Sequence, residues 1–532
     1  MTTLSRVFPN FYRDSVSLMQ LSAKLGALAG VEQAAAVMAT KANLALLAET
    51  GLVREDTAPS PNNLLVVVRG ADETQLEAAL AEAKAALEAR PSASTGEALP
   101  DKARSIEMAL GEMPDANLAL VSTPGEYAAD EARKALNLGL HVMLFSDNVS
   151  LEEEISLKHR ARSRDLLVMG PDCGTAIING IPLGFANVVR RGDIGCVAAS
   201  GTGLQQVTCL VDRYGAGISQ AIGTGGRDLK AEVGGMTMLQ GIAALTDDPA
   251  TRVIVLISKP PAPTVADRVL AVAARSGKPV VVNFLGAAPE MAKREGVHAA
   301  RTLEDAARLA VDLATGKASG SRGRGDLRSG NARSPDTARL APSQKYIRGL
   351  YSGGTFCYEA SFLLTEALGT TVYSNTPVDK QAALPDVWTS REHTVIDLGD
   401  DLFTRGRPHP MIDHRLRNER ILAEAADSGV AVLLLDVVLG YGAHPDPAAE
   451  MEPAIRSARD IATKHGREIL FVGSVCGTAA DPQDLSRQEA ALRDAGVLLA
   501  NSNAEAVRLA AAIVGGARPA AKHRAEGGSR NG

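Results

Sequence analysis

Short, continuous apolar runs alternate with longer helical stretches through residues 60–330. Runs at 64–68, 118–122, 142–145, 166–169, 196–199, 253–257 and 279–284 read as strands. Stretches rich in Ala, Leu and Glu, such as 73–88 and 126–137, read as helices between them. Strands that are apolar throughout, rather than at every second position, belong to parallel sheets covered on both faces. The expected class is therefore α/β.

The pattern breaks at Thr315. Residues 316–342 hold Gly, Ser, Arg and Pro with almost no large apolar side chain, which cannot offset the entropy of ordering and predicts a flexible linker. The stretch 516–532 predicts a disordered tail for the same reason.

Segments before the linker return after it in the same order. Residues 194–203 are echoed at 347–355, 252–256 at 431–435, 277–281 at 466–470 and 302–310 at 502–510. Four matches in one order, with spacing that grows steadily, point to two copies of one α/β unit.

Charge and cysteine content narrow the function. Lys plus Arg is 56 against 62 for Asp plus Glu, and aromatic residues are only 3% with a single Trp, so neither the charge nor the stacking platform of a nucleic-acid binder is present. No apolar run reaches the roughly 18 residues of a membrane span. Five scattered cysteines without a Cys-x-x-Cys pair suit a reducing cytoplasm and argue against a zinc site. No metal is expected.

Two turns carry the sharpest chemistry. In the first, a strand runs through Gly195 and Cys196 into Ser200, Gly201, Thr202 and Gly203, with a helix expected from Leu204. Amides at such a helix start point toward an anion, the helix dipole adds positive potential, and the hydroxyls cap the helix or donate to phosphate. The second copy is Ser352, Gly353, Gly354 and Thr355. One turn per repeat unit predicts a pair that grips one phosphoryl group from both sides. A Gly-rich turn follows each cradle, at 221–228 with Arg227 and at 396–401. The loop 404–413 then places Arg405, Arg407, His409 and Asp413 beside Pro408 and Pro410. Guanidiniums fork onto carboxylate or phosphate, and histidine trades protons near neutral pH. Cys173 has no histidine at a recognisable spacing and reads as a buried thiol.

Together with Phe11-Tyr12-Arg13-Asp14-Ser15-Val16-Ser17-Leu18-Met19, Pro124-Gly125-Glu126-Tyr127, Phe145-Ser146-Asp147-Asn148-Val149, Gly170-Pro171-Asp172-Cys173-Gly174-Thr175 and Ser258-Lys259-Pro260-Pro261, these segments resemble the FdrA family over nearly the whole chain. More distantly they resemble succinyl-CoA synthetase and the ADP-forming acyl-CoA synthetases. The resemblance implies a CoA-binding-like Rossmann domain at 1–185, and two flavodoxin-like ligase-CoA domains at 186–315 and 343–515. No ATP-grasp domain is implied.

The departures matter. Where the synthetases carry a Gly-rich CoA turn, residues 10–18 contain no glycine, so no cofactor is expected and CoA is doubtful. Their phosphohistidine segment is reduced here to His298 without the following glycine. The glutamate that orients that histidine is replaced by Ser258-Lys259-Pro260. With the relay dismantled and both cradles kept, the resemblance implies direct attack on an acyl-type phosphate. Its leading reading is a subunit of oxamate carbamoyltransferase, which converts oxalurate and phosphate to oxamate and carbamoyl phosphate in purine and allantoin catabolism.

In that reading Lys259 neutralises charge on the phosphate and Arg405 or Arg407, with Arg227, holds the substrate carboxylate. His409 or Asp413 accepts the proton. Expected partners are a small carboxylate or carbamoyl substrate, phosphate and other subunits of a hetero-complex. The alternatives are a subunit of an ADP-forming acyl-CoA synthetase, using His298 and a separate nucleotide-binding chain, and a non-catalytic scaffold.

Overall fold

A computed structural model describes residues 1–9, 11–53, 59–88, 103–286, 294–316, 340–405 and 407–516. The predicted linker, apart from its first and last residues, and the tail beyond Gly516 lie outside them. The described residues form four sheets, of three, three, seven and six strands.

Residues 1–185 divide between three of these sheets instead of closing as one Rossmann unit. Thr2–Phe8, Leu64–Gly70 and Val31–Met38 form an antiparallel sheet with Leu64–Gly70 in the middle. Helices Ser15–Gly26 and Glu73–Glu88 pack on one face, where Leu25, Leu76 and Leu80 are buried, and Lys41–Glu49 covers the other. The central strand is apolar on both faces, as predicted, but its neighbour Thr2–Phe8 alternates half-buried and exposed positions. That period of two is the mark of an antiparallel edge. Leu118–Val121, His141–Leu144 and Val168–Met169 form a parallel sheet with a separate core under Gly125–Asn137 and Leu151–Arg162. The hairpin Thr175–Ile178 and Ile181–Gly184 then joins the seven-stranded sheet.

The repeat appears as two sheets of one topology. Val297–Ala299, Val280–Phe284, Val253–Ser258, Arg191–Ala199 and Ile218–Gly223 lie side by side and parallel in the seven-stranded sheet. Val497–Ala500, Leu470–Cys476, Val430–Val438, Tyr346–Tyr351 and Thr394–Asp397 occupy the same order in the six-stranded sheet. Helices Gly201–Arg213 and Leu303–Thr315 from the first unit meet Gly354–Leu368 and Asn503–Gly516 from the second, and one buried core runs through all four.

Polar bonds fix the register of this interface. Glu359 accepts from Leu303 N (2.9 Å) and Asn503 Nδ2 (2.8 Å), and Ser502 Oγ donates to Glu304 (2.9 Å). Asn187 Nδ2 donates to Asp481 (2.8 Å), and Arg213 donates to the carbonyls of Val475 (2.7 Å) and Gly477 (3.0 Å). Buried groups bonded this way tolerate no sliding of one unit on the other. Among the described residues no helix is long and apolar enough to cross a membrane, and no cluster of His, Cys, Asp or Glu is arranged to hold a metal.

Candidate functional site

The two Ser/Gly turns meet. Strand Arg191–Ala199 delivers Ser200, which caps helix Gly201–Arg213 by accepting from Gly203 N (3.0 Å). Strand Tyr346–Tyr351 delivers Ser352 and Gly353 to the start of helix Gly354–Leu368. Ser200 Oγ and Thr355 Oγ1 lie 2.6 Å apart, a hydrogen bond between the two units. Gly353 permits this approach, since a Cβ there would sit 2.8 Å from Thr202 Cγ2. The first-turn amides of Gly201, Thr202, Gly354 and Thr355 have no acceptor in their own helices, and two helix dipoles converge where they begin.

The turns border a cavity of about 350 Å³. Lys259, from the end of strand Val253–Ser258, lines it and lies 5.8 Å from the Tyr358 ring. Gly223, Gly225 and Gly226 form part of its wall, and Phe145, Phe185 and His409 form an aromatic side with ring separations of 5.7 and 6.0 Å.

The second cradle is not wholly available to a ligand. Asp436, buried in strand Val430–Val438, accepts from Ser352 N (2.8 Å), Ser352 Oγ (2.9 Å) and Gly353 N (3.0 Å). Arg417 Nη1, itself buried, neutralises it at 3.0 Å. Ser352 and Gly353 are thus latched by an internal carboxylate. Gly354 and Thr355 keep their amides.

Three further carboxylates line the cavity. Burial lifts Asp397 to about 6, although Lys259 and the Gly399 amide (3.0 Å) pull the other way. Asp172 has φ +55°, and its side chain is exposed on the cavity wall. Enclosure by protein, with Asp147 and Asp401 nearby, raises its carboxyl to about 7. The side chain is nonetheless open to solvent, which screens its charge. Burial also raises Asp147. Lys259 is the one lysine or arginine among the described cavity-lining residues.

The predicted residues divide. Ser200, Gly201, Thr202, Ser352, Gly353, Gly354, Thr355, Lys259 and His409 line the cavity, and the Gly203 amide donates to Ser200 Oγ beside it. Arg227 does not line it: its guanidinium donates to buried Glu154 (2.9 Å) and to Val149 O (2.8 Å), bracing the 224–228 turn with Lys158 and Asp228. Arg405 is not among the lining residues. Arg407 and Asp413 face a different cavity, and Asp413 is bound to Arg415. Residues 408–411 alternate between the two spaces, Pro408 and Pro410 facing that cavity and His409 and Met411 the central one.

His409 is placed as expected, but its protonation differs from that of a proton acceptor. Burial and Arg417 lower its imidazolium to about 4, so the ring is neutral at pH 7. Nδ1 accepts from Met411 N (3.2 Å), which assigns the proton to Nε2. His409 therefore offers a donor. Cys173 is buried, and burial raises its thiol to about 12. His298 lies on the outermost strand Val297–Ala299 and does not line the cavity.

Comparison with known proteins agrees with this architecture. A CoA-ligase family model matches residues 350–513 and a CoA-binding domain model matches 189–286. A model described as the AllF heavy metal-associated domain matches 1–103, a stretch that contains neither cysteine nor histidine. Subunit alpha 2 of the ADP-forming succinate–CoA ligase of Archaeoglobus fulgidus is 27% identical over 198 residues, 36% of this chain and 66% of that one. Subunit alpha of the Aquifex aeolicus ligase is 29% identical over 155 residues, 27% of this chain and 48% of that one. The matches thus span about half to two thirds of these ligase subunits. Escherichia coli K12 YahF, an uncharacterized protein, is 45% identical over 498 residues, covering 93% of this chain and 95% of that one. With full-length similarity to YahF and the CoA-ligase and CoA-binding matches on its two repeat units, the chain belongs to the FdrA-like family of acyl-CoA synthetases.

Proposed function

We propose that this chain is the acyl-phosphate-handling subunit of an acyl-CoA ligase-like enzyme. The cavity holds the phosphoryl group of an acyl phosphate while a thiol of the CoA type attacks the acyl carbon. The carrying observation is the 2.6 Å contact between Ser200 and Thr355, which aims two helix N-termini at one space beside Lys259.

The sulfur–carbon bond forms, the bond from acyl carbon to phosphoryl oxygen breaks, and phosphate leaves with the electron pair. The thiol proton passes to Asp172, an exposed carboxylate on the cavity wall. Charge growing on the leaving phosphate is met by four backbone amides, Lys259 and the His409 Nε2–H, donors fixed before the reaction begins. His298 has no part in this reading, and a separate chain supplies the acyl phosphate. CoA as acceptor draws support from the two family-model matches, despite the absence of glycine between residues 10 and 18.

Carbamoyl transfer, the leading expectation from the sequence, draws no support from the relatives. Carbamoyl phosphate is nonetheless an acyl phosphate and a useful probe. The test is the melting temperature of the full chain with inorganic phosphate, acetyl phosphate, carbamoyl phosphate or CoA, since a ligand that binds only the folded state raises it. Acetyl phosphate and CoA should each raise it, and together should yield thioester and free phosphate in equal amounts. Turnover with carbamoyl phosphate and oxamate while CoA is inert would restore the transferase reading. Failure of all four ligands to bind would leave a scaffold.

A further inference from the structure

Residues 407–413 thread between two spaces. His409 and Met411 line the central cavity, whereas Arg407, Pro408, Pro410 and Asp413 line a second one of about 290 Å³. The opposite wall is the N-terminal antiparallel sheet, through Glu32, Gln33, Ala34 and Arg69. The two walls touch closely, since Arg415 packs on Gly26, where any Cβ would overlap the guanidinium. The second cavity exists only where the N-terminal domain docks on the second repeat unit.

Six ionisable side chains line it, three of each sign: Arg69, Arg407, Arg415, Glu32, Asp413 and Glu419. Arg415 is neutralised by Asp413, its Nε 2.9 Å from Oδ2. Two guanidiniums and two carboxylates are left. Among the described residues Arg407, Glu32 and Glu419 have no side-chain hydrogen bond or ion pair, and Arg69 donates to Gln33 while its Nε is buried without a partner. Opposite charges around one small space ordinarily pair. Here none of the four pairs with another, and Arg407, Glu32 and Glu419 are open to solvent, so one guest bearing both signs can engage all four.

We propose that this cavity binds a zwitterion of α-amino-acid size, with its carboxylate on Arg69 and Arg407 and its ammonium on Glu32 and Glu419. A guanidinium takes a carboxylate through two parallel bonds, and the cavity has room for such a guest with a few waters at ~30 Å³ each. A soft or borderline metal is a poor alternative on this side, because residues 1–103 supply no cysteine or histidine ligand. The assignment is independent of the reaction in the central cavity.

The test uses the full chain in calorimetric and melting titrations with each proteinogenic α-amino acid at up to about 10 mM. Acetate, succinate and ethylammonium serve as single-sign probes. At least one amino acid should bind saturably while the single-sign probes do not. Arg407→Gln and Glu419→Gln should each weaken it by about tenfold, the effect of one lost charged contact. Arg407 is exposed and partnerless, so Arg407→Gln should melt like the wild type without ligand. Three results overturn the proposal: no amino acid binds, binding is unchanged in both variants, or acetate binds as tightly. Competition by inorganic phosphate would place the amino acid in the central cavity and overturn it as well.

Discussion

Asp436→Asn removes one charge and changes almost no volume. In the wild type the carboxylate accepts four hydrogen bonds, from Ser352 N, Ser352 Oγ, Gly353 N and Arg417 Nη1, at 2.8–3.0 Å. An asparagine amide places an NH2 where one oxygen stood. Whichever way it flips, that group faces backbone N–H donors and makes no bond with them. Arg417, buried and formerly neutralised, loses its counter-charge. Breaking a buried pair from one side costs about 3–5 kcal/mol. At ~2–4 °C per kcal/mol for a unit of this size, the melting temperature of the second repeat unit should fall by about 6–20 °C. Differential scanning calorimetry reads this directly. Arg417→Met combined with Asp436→Leu should recover part of the loss, because replacing both partners removes the stranded charge. If Asp436→Asn melts within about 1 °C of the wild type, the Ser352–Gly353 turn is not latched as described and the geometry of the second cradle loses its support.

Asp397, raised from its ordinary value to about 6, binds a proton in the folded state that the unfolded chain releases at lower pH. Its contribution is therefore complete below about pH 4 and lost as pH rises through about 6. Asp397→Asn should raise the melting temperature at about pH 8 and leave it nearly unchanged at about pH 4, and equal gains at both would contradict the assigned shift. His409, lowered to about 4, should show no titration of its ring carbons by NMR between about pH 5 and 8. A midpoint near 6.5 would return it to the role of proton acceptor. Lys259→Met should lower thioester formation by ~10²–10³ if the lysine meets charge that grows in the transition state, and unchanged turnover would remove it from the site.

Those features that are local in physical origin were legible in the sequence. Parallel strands show as unbroken apolar runs, and a helix start shows as Ser and Gly after a strand, so the α/β class and both cradles could be read without coordinates. The antiparallel N-terminal sheet was not, because Thr2–Phe8 half-buries only every second residue and Val31–Met38 is rich in alanine, so neither forms a long apolar run. The loop 404–413 was legible as a polar, proline-stiffened segment. Which of its side chains faces which cavity depends on the domain packed behind it. Asp397 and Asp436 were missed, yet each left a signal: a carboxylate inside an otherwise apolar strand, at the end of Thr394–Asp397 and within Val430–Val438. Lys259 carries the same signal just after Val253–Ser258 and lines the central cavity. A charged residue ending a buried strand at the carboxyl edge of a parallel sheet marks the place where such sheets bind ligands.

The central claim is that two helix N-termini from the two repeat units hold one anion. Crystals of the full chain grown with inorganic phosphate test it most directly. The account predicts a single phosphate within hydrogen-bonding distance of the amides of Gly201 or Thr202 and of Gly354 or Thr355, with the Lys259 ammonium beside it. Phosphate bound by one turn alone, or found elsewhere while the Ser200–Thr355 contact stays empty, would contradict it.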